Sequence, residues 1–216
     1  RGRGAGRQPA GAGGMGRVFS AFDPLLNRHV AVKALHEHFA ADHQLLVDEA
    51  QSMARLSHPN VVQVYEVVTD TRGTFLVMEL ISGTSLASDL DQRKPKNEIV
   101  LIYCDVARGL AAAHAVGLIH GDVKPSNILL GQDGRARISD FGLASKVGAS
   151  NLRLKNISAV DGTPAYLAPE QFDGTSSDKS DQFSFCVALC ESLYGERPFA
   201  GTSLGEIQAN TRLGAI

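Results

Sequence analysis

Eight consecutive residues, His120-Gly121-Asp122-Val123-Lys124-Pro125-Ser126-Asn127, concentrate groups that move protons, neutralise anions or ligate a hard cation. A carboxylate can accept a hydroxyl proton, a nearby ammonium can neutralise phosphate, and an amide oxygen can ligate a cation such as Mg2+. The plain alternative for this stretch is a polar turn. Asp140-Phe141-Gly142 follows a strand-like piece, Arg137–Ser139. Its carboxylate could hold a cation against phosphate, although Asp-x-Gly alone is an ordinary turn. Near the start, Gly11-Ala12-Gly13-Gly14-Met15-Gly16-Arg17-Val18 offers backbone N–H groups that can approach phosphate oxygens with no Cβ in the way. The residues after it, Val18–Phe22, read as strand, where a dinucleotide fold would open a helix. No Gly-Lys-Ser/Thr follows, so the P-loop is excluded as well. Val30-Ala31-Val32-Lys33 ends an alternating strand on an amine, by itself an ordinary solvated lysine. Glu49 alters that reading. It shares a helix face with Leu46 and Met53, and an inward carboxylate requires a cation, for which Lys33 is the candidate. Gly162-Thr163-Pro164-Ala165-Tyr166-Leu167-Ala168-Pro169-Glu170 is, as bare sequence, a Pro-punctuated segment.

These groups need a scaffold. Val18–Phe22 and His29–Leu35, separated by Asp23-Pro24 and Asn27, predict a β-hairpin. Asp42–Leu56 carries Leu45, Leu46, Met53 and Leu56 at helical spacing. Val61–Val68 and Thr74–Ile81 predict strands joined by Asp70-Thr71-Arg72-Gly73. Beyond Gly83 the pattern turns helical, with helices expected over Asn97–Val116 and Asp178–Tyr194, ended by Gly117 and Gly195. Ile128–Leu130 and Arg137–Ser139 flank a Gln132-Asp133-Gly134 turn. Ala144–Gly162 is polar and too long for a simple connector. A small β-rich lobe and a helical lobe, hinged near Ser82-Gly83, follow from this order.

Composition excludes several classes. The 216 residues are 44% hydrophobic and 20% charged, which is globular and not disordered, collagen-like or coiled-coil. Against 21 Lys and Arg stand 23 Asp and Glu, a net charge of −2, so a nucleic acid is not expected as the main partner. Three cysteines argue against a disulfide scaffold and for a reducing, cytoplasmic compartment. Cys186 and Cys190, four apart in an apolar stretch, are expected as buried core thiols. No apolar run reaches about 18 residues, so no membrane contact is expected of this segment. Residues 1–10, rich in Arg and Gly, lack the apolar core of a signal peptide and are expected to form a loose tail.

The ordered set GAGGMGRV, VAVK, an inward Glu49, HGDVKPSN, DFG and APE resembles the bacterial eukaryotic-like (Hanks-type) serine/threonine protein kinases, from about Gly11 to Ile216. The resemblance implies an α+β, two-lobed fold. A tail at 1–10 would precede an N-lobe at 11–82, with one main helix, and an incomplete, mostly helical C-lobe at 83–216. It implies transfer of the γ-phosphoryl group of ATP, with Mg2+, to a protein Ser/Thr hydroxyl. The alternative reading is a truncated or inactive scaffold that binds nucleotide or partners without transfer. Small-molecule kinases of similar fold generally lack an APE-type segment, so Ala168-Pro169-Glu170 speaks against them.

By the same resemblance Asp122 accepts the hydroxyl proton, Lys124 steadies the γ-phosphate, and Asn127 and Asp140 hold Mg2+. Lys33, fixed by Glu49, grips the α- and β-phosphates beneath Gly11, Gly13, Gly14 and Gly16. Val18, Ala31 and Leu129 enclose adenine, Met78 is the gatekeeper, and the backbones of Glu79 and Ile81 read the adenine edge. Asp181 braces the catalytic loop, and His58 is a structural loop residue. Ser158 and Thr163 are candidate phosphorylation sites.

Three departures carry expectations. Gly121 stands where many relatives have an Arg that meets a phosphorylated loop residue, so weak dependence on loop phosphorylation is expected. Residues 1–10 do not resemble a strand leading into the glycine loop, so that roof is expected to be frayed. Relatives continue past the end of this chain with an Arg that pairs with the Glu of APE. Glu170 is therefore expected without its partner, beside an exposed apolar patch on the helical lobe.

Overall fold

Alternation of apolar and polar residues along Gly16–Asp23 and Arg28–Leu35 produces a hairpin whose register runs from Gly16 opposite Leu35 to Asp23 opposite Arg28. Asp23 closes its turn: Oδ1 accepts the N–H groups of Leu25 and Leu26 at 3.1 and 3.3 Å, and Oδ2 lies 3.3 Å from Arg28 Nε. The computed structural model describes residues 8–13, 16–35, 51–71, 73–90, 94–141, 163–199 and 201–214, with backbone only at 8–13, 16–17, 35 and 163.

These two strands are β2 and β3 of a five-stranded antiparallel sheet. It also contains β1 (Gln8–Gly13), β4 (Val64–Asp70) and β5 (Gly73–Glu79), in the order β1-β2-β3-β5-β4. β1 corrects one expectation. Gln8–Ala10, expected to lie in a loose tail, belong to a strand that leads through Gly11 to Gly13 and pairs with β2. The segment has no apolar pattern because its order comes from backbone pairing along the sheet edge. Of the expected 42–56 helix, residues 51–55 are described and helical, and Met53 and Leu56 are buried as their spacing requires.

A second, three-stranded antiparallel sheet, β6 (Gly83–Ser85), β7 (Ile128–Gly131) and β8 (Ala136–Ile138), lies beyond the Ser82 bend. Val61–Gln63, expected at the start of a strand, instead docks on β8. Val61 bridges Ile138, Ile138 N–H donates to Asn60 O at 2.9 Å, and Val62 N–H donates to Ile138 O at 3.0 Å. The apolar run there is buried between lobes, so period alone misplaced the strand boundary.

Helix α1 (Lys96–Ala115) turns Ile99, Tyr103, Val106, Leu110 and Ala113 inward. Its end is followed by Gly117 at φ 76°. Helix α2 (Asp178–Tyr194) starts on a Ser177 N-cap that accepts the Ser180 N–H, and ends at Gly195 in the left-handed conformation. The short helix α3 (Leu204–Leu213) packs Ile207 with Leu167 and Phe172. One large core joins Met53, Leu76, Tyr103, Val106, Ile128, Ile138 and Phe141 across both lobes.

Helix α2 also corrects the cysteine expectation. Its buried face consists of Ser180, Asp181, Ser184, Val187, Ala188, Glu191 and Ser192. Cys186 is exposed on the opposite side and Cys190 is half-buried, with Cys104 of α1 exposed as well. The inward face of α2 is polar because it meets the backbone of a loop, so hydropathy indicated the wrong side. Exposed apolar residues of the helical part are Val100, Leu101, Val116, Tyr194 and Leu213.

Candidate active site

The catalytic candidates lie on a loop between α1 and β7 that has almost no regular structure, so side chains must hold it. Asp181 does most of this. Its side chain is 1% exposed, Oδ1 accepts the Gly121 N–H at 2.7 Å, and Oδ2 accepts the His120 N–H at 2.8 Å. His114, near the end of α1, places Nε2 2.8 Å from the same Oδ2. Gly121 adopts φ 72°, a conformation costly for a residue with a Cβ.

His120 is fully enclosed. Nε2 donates to Ser139 O at 2.9 Å, Nδ1 accepts the Asp122 N–H at 3.1 Å, and the ring lies 4.7 Å from that of Phe141. These partners fix a neutral imidazole with its proton on Nε2. Burial pushes its pKa below the usual histidine value. Through this ring the loop is keyed to the segment carrying Asp140.

Asp122 is buried. Lys124 Nζ lies 2.9 Å from its Oδ2, and Asn127 Nδ2 donates to Asp122 O at 2.8 Å. Asn127 closes the one-turn 3-10 helix Pro125–Asn127, and its carbonyl accepts the Ser139 N–H at 2.8 Å and the Ser139 hydroxyl at 3.1 Å. Lys33, 3% exposed on β3, points its ammonium at Asp140 Oδ1, 2.8 Å away. Asp140 holds φ 62°, one of two non-glycine residues with positive φ among those described. Strain of this kind, about 1–3 kcal/mol per residue, persists where surrounding contacts over-determine it.

The donor chemistry suits a hard cation with phosphate. Asn127 donates through its Nδ2 to Asp122 O, so its Oδ1 is the amide atom chemically suited to a hard cation, as is the carboxylate of Asp140. Among the described residues no group of three or more His, Cys, Asp or Glu could hold a metal ion. A two-oxygen protein contribution completed by phosphate and water is the usual way to bind Mg2+. Above this lies an apolar cluster of Ala31, Val62 and Met78 with Val18, Leu80, Ile81 and Leu129 packed against it. Glu79 N–H donates to Gln63 O at 2.9 Å and fixes the end of β5 against β4.

The structure thus gathers Lys33, Asp122, Lys124, Asn127 and Asp140, and groups Val18, Ala31, Met78, Ile81 and Leu129. Gly11, Gly13 and Gly16 lie on the β1–β2 hairpin. Gly14, Glu49, Ser158 and Gly142 lie outside the described residues. Thr163 opens the 3-10 turn Thr163–Tyr166, and Glu170 is half-buried in the 3-10 helix Pro169–Asp173. His58 Nδ1 accepts the Asn60 N–H at 3.2 Å, the loop role expected of it.

Several supporting residues were not anticipated. Gln171 Nε2 donates to Gly121 O at 3.0 Å while its Oε1 accepts the Ala168 N–H at 2.9 Å, tying the APE segment to the loop. Ser184 donates to Tyr166 O at 2.7 Å, and the Tyr166 hydroxyl donates to Glu191, which also pairs with Arg197 at 2.7 Å. Burial, followed by the Glu191 contact, pushes the Tyr166 hydroxyl pKa upward. Sequence carries no spacing signal for these residues, because their partners are backbone atoms or distant side chains.

The protein-family model of the Protein kinase domain matches residues 7–214. Serine/threonine-protein kinase PknL of Mycobacterium tuberculosis is 41% identical over 198 residues, covering 89% of this chain and 49% of that protein. Serine/threonine-protein kinase PknA of the same species is 39% identical over 200 residues, covering 88% and 46%. A probable serine/threonine-protein kinase of Clostridium perfringens is 37% identical over 202 residues, covering 91% and 29%. The chain spans about half the length, or less, of these curated relatives.

Proposed function

Because this chain belongs to the protein kinase domain family, we propose that it transfers the γ-phosphoryl group of ATP to a Ser or Thr hydroxyl of a protein substrate. Members of the family use ATP and a divalent cation, and act on proteins. The observation that carries the reading is the meeting of Lys33 with Asp140 at 2.8 Å, in a segment that Ser139 ties through Asn127 to the Asp122–Lys124 pair at 2.9 Å. Those four side chains come from three separate segments of sequence.

Asp122 orients the substrate hydroxyl and takes its proton as the oxygen attacks phosphorus. Lys124, already beside that carboxylate, neutralises charge on the phosphoryl group in transit. Lys33 holds the α- and β-phosphates, and its ammonium passes from the Asp140 carboxylate to phosphate oxygens when nucleotide arrives. Glu49 is the further partner proposed for Lys33. Asn127 Oδ1 and Asp140 would hold Mg2+, which would supply charge neutralisation for the phosphates. The apolar cluster around Ala31, Met78 and Leu129 takes adenine, and the backbones of Glu79 and Ile81 read its edge. Gly11 to Gly16 cover the phosphates. Three free thiols with no disulfide among the described residues suit the reducing cytoplasm in which ATP is held. No helix among the described residues is long and apolar enough to cross a membrane.

The test is transfer from γ-labelled ATP to a generic basic protein with Mg2+, beside an Asp122→Asn control. Label in the wild type and its loss in the control support the reading. Equal signal in both, or none in either, favours a scaffold that binds without transfer.

A further inference from the structure

Arg137 stands on β8 directly opposite Leu129 of β7, so the two side chains share one face of the small sheet. Leu129 packs against the Ala31–Met78 cluster. The guanidinium of Arg137, 11% exposed, makes two bonds in parallel to Asp133, NH1 to Oδ1 at 3.0 Å and NH2 to Oδ2 at 2.6 Å. Its remaining edge faces the other lobe, where Nε lies 3.5 Å from Glu79 Oε1 at the end of β5. Glu79 Oε2 in turn accepts the Gln63 N–H at 3.4 Å.

The turn is shaped for this arrangement. Asp133 Oδ1 also accepts the Arg135 N–H at 3.3 Å, and Gln132 N–H donates to Ser82 O at 2.8 Å just past the hinge. A Cβ on Gly131 would stand 2.8 Å from Arg137 NH1 and 2.4 Å from Asp133 Oδ1, so only glycine leaves room for the fork. The Asp133 carboxyl is held down to about 2 by the Arg137 bond, so the pair stays ionised at any working pH.

We propose that Arg137 is a positioning residue for nucleotide binding: anchored by Asp133, it fixes Glu79 and hence the backbone between the lobes that meets the adenine edge. A planar, five-donor guanidinium can serve both carboxylates at once, which a lysine ammonium does with less geometric control. The consequence for ATP rests on the kinase reading above, while the tie itself is a property of the fold.

Two measurements separate them. Arg137→Gln is expected to raise KM for ATP about three- to tenfold with kcat held within about twofold. Glu79→Gln should raise KM similarly, and the double variant no more than the larger single, because both remove one interaction. Amide exchange across residues 80–85 without nucleotide should quicken in Arg137→Gln and stay at the wild-type rate in Arg135→Gln, whose side chain is exposed. A double variant whose effect is the product of the singles, or exchange unchanged in Arg137→Gln, overturns the proposal. If the wild type transfers nothing, the kinase reading fails and the exchange measurement still decides the tie.

Discussion

Asp181 accepts the backbone N–H of Gly121 at 2.7 Å across 60 residues of sequence, and the same carboxylate takes the His120 N–H at 2.8 Å. One side chain on a helix therefore sets the course of the loop that presents Asp122. Asp181→Asn keeps the shape but offers one acceptor where two are used, and turns an NH2 toward a donor. A buried donor left unpaired costs about 1–3 kcal/mol. Urea unfolding should show that loss, and kcat should fall about tenfold or more, whereas the exposed Asp178→Asn one turn earlier should change stability by less than about 0.5 kcal/mol. Equal stability and turnover for Asp181→Asn and wild type would sink this account.

Lys33→Met keeps a long unbranched side chain of similar volume in a buried site, so the fold should tolerate it. Asp140, 29% exposed, loses its ammonium partner but can be hydrated, so no charge is stranded in the core. Turnover should fall about a hundredfold or more while the far-ultraviolet spectrum and melting transition stay close to wild type. Retained transfer would remove Lys33 from the mechanism.

Gly121 occupies positive φ, so Gly121→Ala should cost about 1 kcal/mol through backbone strain alone. Lacking an arginine there, the loop lacks one partner for a phosphate on Ser158 or Thr163. A charge-assisted contact is worth about 1.5–3 kcal/mol, or roughly tenfold or more in population. Phosphatase treatment should therefore change kcat by less than about tenfold. A larger fall would show that another cation fills the role.

His120 supplies a pH dependence with a definite sign. Burial lowers its folded-state pKa below the unfolded value, so the folded protein binds the proton more weakly. The stability from keeping it neutral is fully present above about pH 6.5 and is lost as the pH falls below that value. Unfolding free energy measured from about pH 7 to 5 should decline more steeply in wild type than in His120→Asn, by up to about 1.4 kcal/mol per unit. Parallel curves would contradict this.

Much of this was legible because punctuation and chemistry coincided. Helix α2 runs from Asp178 to Tyr194 as expected, since Ser177 and Gly195 mark its ends on steric and hydrogen-bonding grounds. Lys33, Asp122, Asn127 and Asp140 stood out because their residue types are costly to bury without purpose. What stayed hidden has a common cause. β1 is ordered by edge pairing and not by its side-chain pattern. Cys186 was misplaced because the inward face of α2 is filled with serines and an aspartate. Gln171 and His114 find partners 50 or more residues away, or on the backbone, and Arg137 reaches Glu79 58 residues away besides its near neighbour Asp133, and no local period encodes those distant contacts.

The docking of Asn60 and Val62 on Ile138 gives the two lobes a main-chain junction besides the covalent connector at 80–82. Any movement of one lobe that shifts Asn60 or Val62 relative to Ile138 has to part main-chain hydrogen bonds as well as side-chain contacts.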